Sequence, residues 1–237
     1  MKLLYEGKSK RVYVKDDELL VLEFKDAVTA LNGLKKDVVP GKGIINAQVS
    51  AYLFEVLEKN GIATHYVDYD GKRCITAKRL DMIPLEVIVR NYAYGSLLKR
   101  MPCLQKLRLL EPPIIEFHYK SDELGDPLVL EDDIIHAGLL SKRELEEIKE
   151  VSLKVNNVLK DLFSKAGLKL IDFKLEFGRD KNGQLVLGDE ITGDTIRVID
   201  EMGRHLDKEV YRRGGSTSDL LNAYIELAKR LGLEVVF

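Results

Sequence analysis

The sequence predicts an α+β fold in two lobes, with an N-terminal antiparallel sheet carrying one helix and a larger lobe of sheet and helices. Short apolar runs separated by turn residues fill the first part of the chain and indicate an antiparallel meander. Later stretches carry apolar residues at helical spacing and indicate amphipathic helices. We therefore divide the chain into an N-terminal lobe, 1–80, and a larger lobe, 81–237.

The N-terminal lobe combines short strands with one helix. A helix is predicted at 44–60, where apolar residues recur at helical spacing, and Gly61 can end it in the left-handed conformation. The segment 25–43 is rich in Gly, Asp and Lys and is predicted to be a loop that carries function. The strands of this lobe are predicted at 3–5, 11–14, 19–24, 64–68 and 73–78.

The larger lobe begins with a predicted strand at 85–90. Ser141 and Glu144 form a capping box that opens a long helix, which Gly167 ends. A further helix is predicted at 217–231.

Composition excludes several classes of protein. The 37 Lys and Arg nearly balance the 39 Asp and Glu, which disfavours a general polyanion binder. The two cysteines predict neither a disulfide framework nor a zinc site. With no apolar leader and no run of about 18 apolar residues, we expect a cytoplasmic protein that binds no membrane.

The segment 170–190 is predicted to be a β-hairpin that presents acidic residues. Strand alternation places Asp172, Lys174 and Glu176 on one face, and Ile171 with the phenylalanines on the other. A two-residue Asn-Gly turn at 182–183 would bring Glu176 opposite Asp189. Facing carboxylates call for a cation, and Mg²⁺ with ATP phosphates satisfies that need. The alternative is a surface hairpin with scattered charges.

Two further segments indicate anion binding. Lys8 and Lys10 share a strand face and can clasp phosphates, although this stretch taken alone favours a solvated strand. Arg90 ends a strand just before the turn at Gly95 and Ser96, where a guanidinium, a hydroxyl and helix amides can hold a phosphate. The four histidines lack metal-ligand spacing and receive no role.

These segments together resemble the SAICAR synthetase family, enzymes of de novo purine biosynthesis. YEGKSKRVY at 5–13 resembles its N-terminal element, and MIPLEVIVRNYAYGS at 82–96 resembles its first signature. LIDFKLEFG at 170–178 resembles the second signature, followed by GDEITGDTIR at 188–197. KSDELGDP at 120–127 also matches, so the resemblance covers nearly the whole chain.

The resemblance implies ligation of L-aspartate to the carboxylate of carboxyaminoimidazole ribonucleotide (CAIR), with ATP converted to ADP and phosphate through an acyl phosphate. It implies a fold like that of ATP-grasp enzymes and protein kinases, with ATP in the cleft between the lobes. It also implies Mg²⁺ as cofactor, small-molecule partners without nucleic acid, and a homodimer. Activating the carboxylate with phosphate is a task of positioning and charge neutralisation, which suits a chain with few Cys and His.

Matching positions carry the family's site residues onto this chain. The resemblance implies metal binding by Glu176 and Asp189. It implies nucleotide contacts from Lys8, Lys10, Lys78, Leu80 and Met82. It implies CAIR contacts from Arg90, Gly95, Ser96, Arg197 and Arg212. It implies catalytic roles for Lys120, Asp126, Asp172 and Lys174, without identifying the general base or the aspartate pocket.

Three positions depart from the family pattern. Tyr94 stands where a small residue is usual, Gly193 replaces a common proline and Ile199 replaces a common tryptophan.

Two alternative functions stay open at this point. A kinase for a small alcohol would use the same cleft and would not depend on aspartate. A non-catalytic nucleotide sensor or RNA-binding module would use the basic stretch 97–108, but the chain has no RNP-type aromatic motif.

Overall fold

The computed structural model describes residues 1–30 and 35–236. A five-stranded antiparallel sheet forms the N-terminal part, in the order β1-β2-β3-β7-β6. These strands, which confirm the predicted meander, are β1 Lys2–Glu6, β2 Lys10–Val14, β3 Leu19–Phe24, β6 Tyr66–Tyr69 and β7 Cys74–Lys78. We refer to them as the small sheet.

Helix α1, Lys42–Lys59, lies between two apolar clusters and confirms the predicted helix. Ala47 and Ala51 pack with the small sheet, whereas Ile45 and Leu53 belong to the main core of the molecule. This two-sided burial means that α1 packs both on the small sheet and in the main core.

The predicted loop at 25–43 is partly wrong, because it contains an antiparallel strand pair. β4, Ala27–Ala30, pairs with β5, Lys35–Val38. Positions 31–34 lie outside the described residues.

The large sheet has the order β10-β9-β8-β11-β12, with β13 also paired to β11. Its strands are β8 Asp81–Tyr92, β9 Leu109–Tyr119, β10 Leu128–Val129, β11 Leu168–Arg179, β12 Leu185–Gly188 and β13 Ile196–Asp200. The long helix α4, Lys142–Lys165, packs on it through Leu145, Ile148 and Leu159, with the predicted Ser141 and Glu144 capping box in place.

The remaining helices are α2 Ser96–Arg100, α3 Glu131–His136, α5 Glu209–Arg212 and α6 Thr217–Arg230. Helix α6 confirms the predicted C-terminal helix and packs against α1. Within the ranges 1–30 and 35–236, no helix combines the length and the apolarity needed to cross a membrane.

The predicted hairpin forms, but its register differs by one residue. Glu176 lies opposite Gly188, not Asp189. The Asp180 backbone N–H donates to the Gln184 carbonyl at 3.0 Å, so three residues make the turn, with Gly183 at φ 78°. A three-residue hairpin with a left-handed glycine accounts for the shift.

Strict alternation along β11 is also wrong at its beginning. The pairing with β13 shifts between Leu170 and Asp172, so Ile171 is an extra bulged residue. Leu170 and Phe173 both reach the main core, whereas Ile171 packs in a separate cluster with Tyr94 and Ile199. Asp172, Lys174 and Glu176 nevertheless share the predicted polar face, since all three line the cavities between the sheets.

Candidate active site

Two adjoining cavities lie between the sheets. The first cavity, of about 640 Å³, lies between the small sheet and the β8–β11 part of the large sheet. The second cavity, of about 400 Å³, extends toward β4, β13 and α5. Both are lined by Lys8, Ser9, Glu86, Asp126, Lys174 and Glu190. Because they share these residues, bound molecules in the two cavities would meet near Lys174.

Strand β2 and the turn before it deliver two lysines to the first cavity. The predicted shared strand face is wrong, because Lys10 begins β2 whereas Lys8 lies in the turn before it. The Lys10 side chain is buried, and its Nζ lies 2.7 Å from Asp189 Oδ1 and 3.3 Å from Glu190 Oε1. Burial alone would lower the pKa of Lys10, but these two carboxylates outweigh it and raise the pKa. Lys8 is exposed and pairs with Asp122 at 2.6 Å.

Glu176 and Asp189 both line the first cavity despite the shifted register. Asp189 follows β12 in a left-handed conformation with φ 58°, which turns it away from the strand. The ammonium group of Lys174 contacts Glu176 and lies 3.5 Å from Asp189 Oδ2. Lys120 also contacts Glu176. The ammonium groups of Lys174 and Lys120 therefore supply the positive charge that these two neighbouring carboxylates require.

The two carboxyl groups differ in acidity. Burial and the neighbouring Asp189 raise the pKa of Glu176, against the opposing effect of Lys174 and Lys120. Burial would also raise the pKa of Asp189, but Lys10 and Lys174 outweigh it and hold that pKa well below its usual range.

The donor set of the first cavity fits Mg²⁺. Glu176, Asp189 and Glu190 supply carboxylate oxygens, and Glu190 Oε2 is buried with no hydrogen-bond partner among the described residues. Over those same residues, no group of three or more His, Cys, Asp or Glu is arranged to hold a metal ion without other ligands. Mg²⁺ takes one or two protein carboxylates and completes its octahedron with water and phosphate, so a partial donor set is the expected one.

The opposite end of the first cavity is apolar. Leu80 and Met82 line it with Leu20 and Leu22 of β3. Gly178 allows this approach, because a Cβ there would lie 2.8 Å from the Leu80 Cβ. Lys78 lies nearby and donates to the Thr64 carbonyl at 3.2 Å. An apolar slot beside a charged region suits a nucleobase joined to phosphates.

The second cavity contains a fully buried arginine. Arg90 Nη1 donates to Asp172 at 2.9 Å, and Nη2 donates to Glu116 at 2.9 Å and to the Ser96 hydroxyl at 2.8 Å. Arg90 Nε has no partner among the described residues. The predicted contact between Arg90 and Ser96 is present, but two carboxylates already neutralise the guanidinium.

Two more arginines line the second cavity. Arg197 donates to Asp172 at 2.9 Å and to Glu209 at 3.2 Å, and Arg212 lies next to it in α5. Gly95 has φ 58°, and a Cβ at that position would lie 2.9 Å from Arg197 Nη1. The glycine therefore permits the turn before Ser96 to lie against the guanidinium. The arginines make this cavity suited to a phosphate.

The structure brings the predicted site residues together. Of those predicted from the sequence, all but Gly95 line one of the two cavities, and Gly95 touches Arg197. Lys174 and Asp126 line both, Lys120 lines the first and Asp172 the second. The Asp126 carboxylate accepts a hydrogen bond from the Ser121 backbone at 2.9 Å, which fixes its loop.

Sequence reasoning assigned no role to Glu190 and His65, which both line the first cavity. Glu190 belongs to the Gly-Asp-Glu tripeptide at 188–190, whose resemblance to the family pattern was the available signal. His65 is buried beside Lys10 and carried no sequence signal. Burial, helped by the charge of Lys10, lowers the pKa of His65 to about 4, so the imidazole is neutral near pH 7.

A buried carboxylate at Asp194 was also missed. It accepts hydrogen bonds from Lys42 at 2.5 Å and Asn46 at 2.8 Å on α1, and from Tyr224 at 3.1 Å on α6. Lys208, which lines the second cavity, lies 3.2 Å from it. Asp194 thereby fixes one side of the second cavity to both helices. Its place in the GDEITGDTIR segment was the only sequence signal.

The three departures from the family pattern have structural settings. Tyr94 and Ile199 belong to one small buried cluster with Ile171. Tyr94 is larger than the small residue that is usual in the family, and Ile199 is smaller than the usual tryptophan. The two departures therefore occur in the same buried cluster and offset each other in volume. At Gly193 a Cβ would lie 2.7 Å from the Tyr224 ring, so the glycine lets that ring reach Asp194.

Comparison with known proteins agrees with this geometry. The model of the SAICAR synthetase family matches residues 3–231. Phosphoribosylaminoimidazole-succinocarboxamide synthase of Caldivirga maquilingensis is 54% identical over 232 residues, covering 98% of this chain and 96% of the relative. The enzyme of the same name from Methanocaldococcus jannaschii is 48% identical over 231 residues, covering 97% and 94%.

Among solved structures, a type-2 SAICAR synthetase in complex with ADP superposes with a TM-score of 0.94 at 46% identity, covering 98% of this chain and 99% of that one. A type-1 SAICAR synthetase from Pyrococcus horikoshii superposes with a TM-score of 0.90 at 44% identity, covering 97% and 100%. Matching sequence, fold and coverage lead to one conclusion: the chain belongs to the SAICAR synthetase family.

Proposed function

We propose that this chain ligates L-aspartate to the carboxylate of CAIR, with ATP converted to ADP and phosphate, and so forms SAICAR in de novo purine biosynthesis. Family membership supports the reaction. The main structural support for this reaction is the pair of adjoining cavities, which both have Lys174 in their lining. One cavity suits a nucleotide and the other a phosphorylated small molecule.

ATP is assigned to the first cavity. Leu80 and Met82 would contact the base, with Lys78 beside them. Lys8 and Lys10 would face the phosphates, where two ammonium groups offset phosphate charge. The ADP complex of a similar SAICAR synthetase supports nucleotide binding in this fold.

Glu176 and Asp189 are the proposed Mg²⁺ ligands, with Glu190 beside them. When bound, the ion would offset phosphate charge and orient the terminal phosphoryl group. The lysines that now pair with these carboxylates would then be released toward the phosphates, because the ion replaces their charge.

CAIR is assigned to the second cavity, with its phosphate held by Arg90, Gly95, Ser96, Arg197 and Arg212. Asp172 orients two of these arginines by accepting from both at 2.9 Å. In this placement the imidazole carboxylate points toward Lys174 and the shared lining of the two cavities.

The reaction then proceeds in two displacements. A carboxylate oxygen of CAIR bonds to the γ-phosphorus of ATP, and the bond to the β-phosphate oxygen breaks to release ADP. The neutral amine of aspartate then attacks the acyl carbon of this acyl phosphate and forms the amide bond. The bond between that carbon and the phosphate oxygen breaks, and phosphate leaves with its electron pair and takes up the proton that the amide nitrogen loses. Lys174 and Lys120 would stabilise the transferred phosphoryl group, and Asp126 and Asp172 would orient the reactants around it.

The wider setting follows from the same assignment. We propose that 1–80 acts as the lobe that covers the nucleotide and 81–237 as the lobe that holds CAIR, Mg²⁺ and aspartate. Small-molecule substrates account for the two cavities without a nucleic acid or a membrane. A cytoplasmic location and a homodimer remain part of the proposal.

Omission of single reactants tests the reaction. The protein is incubated with CAIR, ATP, MgCl₂ and L-aspartate, each left out in turn, while ADP and SAICAR are measured by chromatography. We expect SAICAR only in the complete mixture and ADP in equal amount. Formation of ADP with a small alcohol in place of CAIR and aspartate would instead identify a kinase.

A further inference from the structure

A chain of hydrogen bonds runs from the protein surface to a buried carboxylate behind the second cavity. Arg213 donates to the Tyr94 hydroxyl, which lies 2.9 Å from His205 Nε2. His205 Nδ1 lies 2.8 Å from Asp207 Oδ2. Tyr94, His205 and Asp207 are all buried, so water does not compete for these groups.

The chain has a defined direction of donation. The Asp207 carboxylate only accepts, and it already accepts from the Val198 backbone at 2.9 Å. His205 therefore donates from Nδ1, and in this Nδ1–H tautomer its Nε2 is an acceptor. The Tyr94 hydroxyl then donates to His205 and accepts from Arg213, so each polar atom in the chain has a partner.

Tyr94 connects the two sides of the proposed phosphate site. On one side it directly precedes Gly95 and Ser96, whose hydroxyl accepts from Arg90 at 2.8 Å. On the other side its ring centroid lies 5.4 Å from the Arg197 guanidinium. His205 and Asp207 lie in the segment between β13 and α5 that also carries Lys208 of the second cavity. The Tyr94 hydroxyl therefore connects the Gly95–Ser96 turn to the segment between β13 and α5 through its contact with His205.

We propose that Tyr94 and His205 are positioning residues for the ribonucleotide phosphate, because their hydrogen bond holds the Gly95–Ser96 turn in place against Arg197. Neither residue touches the substrate. The inference rests on the proposed function, which assigns CAIR to this cavity. It predicts that the hydroxyl of Tyr94 affects the binding of CAIR and leaves the nucleotide site unchanged.

The matched pair of variants is Tyr94→Phe and Tyr92→Phe. Tyr92 packs on the same small cluster, but it is only partly buried and takes no part in the contact between Tyr94 and His205. Steady-state kinetics of Tyr94→Phe should show KM for CAIR raised about tenfold, with kcat and KM for ATP within about twofold of the parent, since a buried polar partner is left unpaired. Tyr92→Phe should match the parent.

A double variant tests whether the two residues act as one unit. Tyr94→Phe combined with His205→Leu should raise KM for CAIR no further than the more severe single variant, because each removes the same hydrogen bond. Independent, multiplying effects on KM would overturn the inference. So would an unchanged KM for CAIR in Tyr94→Phe, or equal rises of KM for CAIR and ATP.

A second readout does not depend on turnover. The ¹⁵N signals of His205, one of four histidines, should show the Nδ1–H tautomer in the parent protein and in Tyr94→Phe, because Asp207 accepts from Nδ1 in both. The Nε2 signal should shift in Tyr94→Phe, because that nitrogen loses its hydrogen-bond donor. A parent protein without CAIR-dependent ADP formation would refute the proposed function alone. A parent His205 with its hydrogen on Nε2 would refute the hydrogen-bond chain alone.

Discussion

Lys10 Nζ lies 2.7 Å from Asp189 Oδ1, and only 9% of the lysine side chain is exposed. The lysine belongs to the small sheet, and the aspartate directly follows a strand of the large sheet. This ion pair therefore joins the two sheets across the first cavity.

Replacing Lys10 with Met should destabilise the protein strongly. Asp189 would lose its closest cation in a buried site, which typically costs about 3 kcal/mol in the free energy of unfolding. Urea unfolding measures the loss. The control is Lys8→Met in the same segment, because Lys8 is exposed and should contribute little to stability. Equal stability of the two variants would contradict this interpretation of the buried pair.

The double variant Glu176→Gln, Asp189→Asn should lose Mg²⁺-dependent nucleotide binding. Removing both proposed ligand charges should weaken the affinity for ADP measured with MgCl₂ by about a hundredfold, roughly twice the 1.4 kcal/mol that a tenfold change requires. The affinity measured with EDTA should change far less, since the lysines remain.

The control for this double variant is Asp161→Asn, Glu146→Gln, which removes two charges from the exposed face of α4. It should bind nucleotide like the parent, by isothermal titration calorimetry. If the site variant kept the full magnesium effect, Glu176 and Asp189 would not be the metal ligands.

Stability should decrease below about pH 6.5 because of His65. The pKa of this buried histidine falls from 6.5 to about 4 in the folded state, so only the unfolded chain takes up its proton between those values. Between pH 7 and pH 5 this lowers the free energy of unfolding by about 2 kcal/mol. In His65→Gln the decrease measured by urea unfolding should be smaller by that amount, whereas His136→Gln on exposed α3 should keep it.

Gly193→Ala should destabilise the core next to the second cavity. The new Cβ would lie 2.7 Å from the buried Tyr224 ring, and overpacking of this kind costs about 1–3 kcal/mol. A double-mutant cycle with Tyr224→Leu identifies the contact, because the smaller side chain should remove most of the cost of Gly193→Ala. If Gly193→Ala were equally destabilising in the parent and in Tyr224→Leu, the strain would not come from the Tyr224 ring.

The elements with strong local signals were predictable. The capping box at Ser141 and Glu144, the glycine after α1 and the alternation of the small-sheet strands depend on neighbouring residues, and each appears in the structure. The convergence of Lys10 and Glu176 on one cavity was inferred from resemblance, since those residues are far apart in the sequence.

The failures come from interactions that local patterns do not encode. The Asn182–Gly183 pair is compatible with two-residue and three-residue turns, and the Asp180 carboxylate favours the longer one by accepting from the backbone N–H groups of Asn182 and Gln184. His65 and Asp194 acquire their partners only through tertiary packing.

Because of the bulge at Ile171, the effect of deleting one residue from β11 depends on where the deletion falls. Loss of Ile171 would leave Leu170 and Phe173 on the core face and Asp172 and Lys174 on the cavity face, because the bulged residue is the one outside the alternation. Loss of any one residue from 173 to 177 would break the alternation. The side chains on one side of the deletion would then point to the opposite face of the sheet. Of these positions, Ile171 is therefore the one that can be lost without turning the ligand-facing side chains inward.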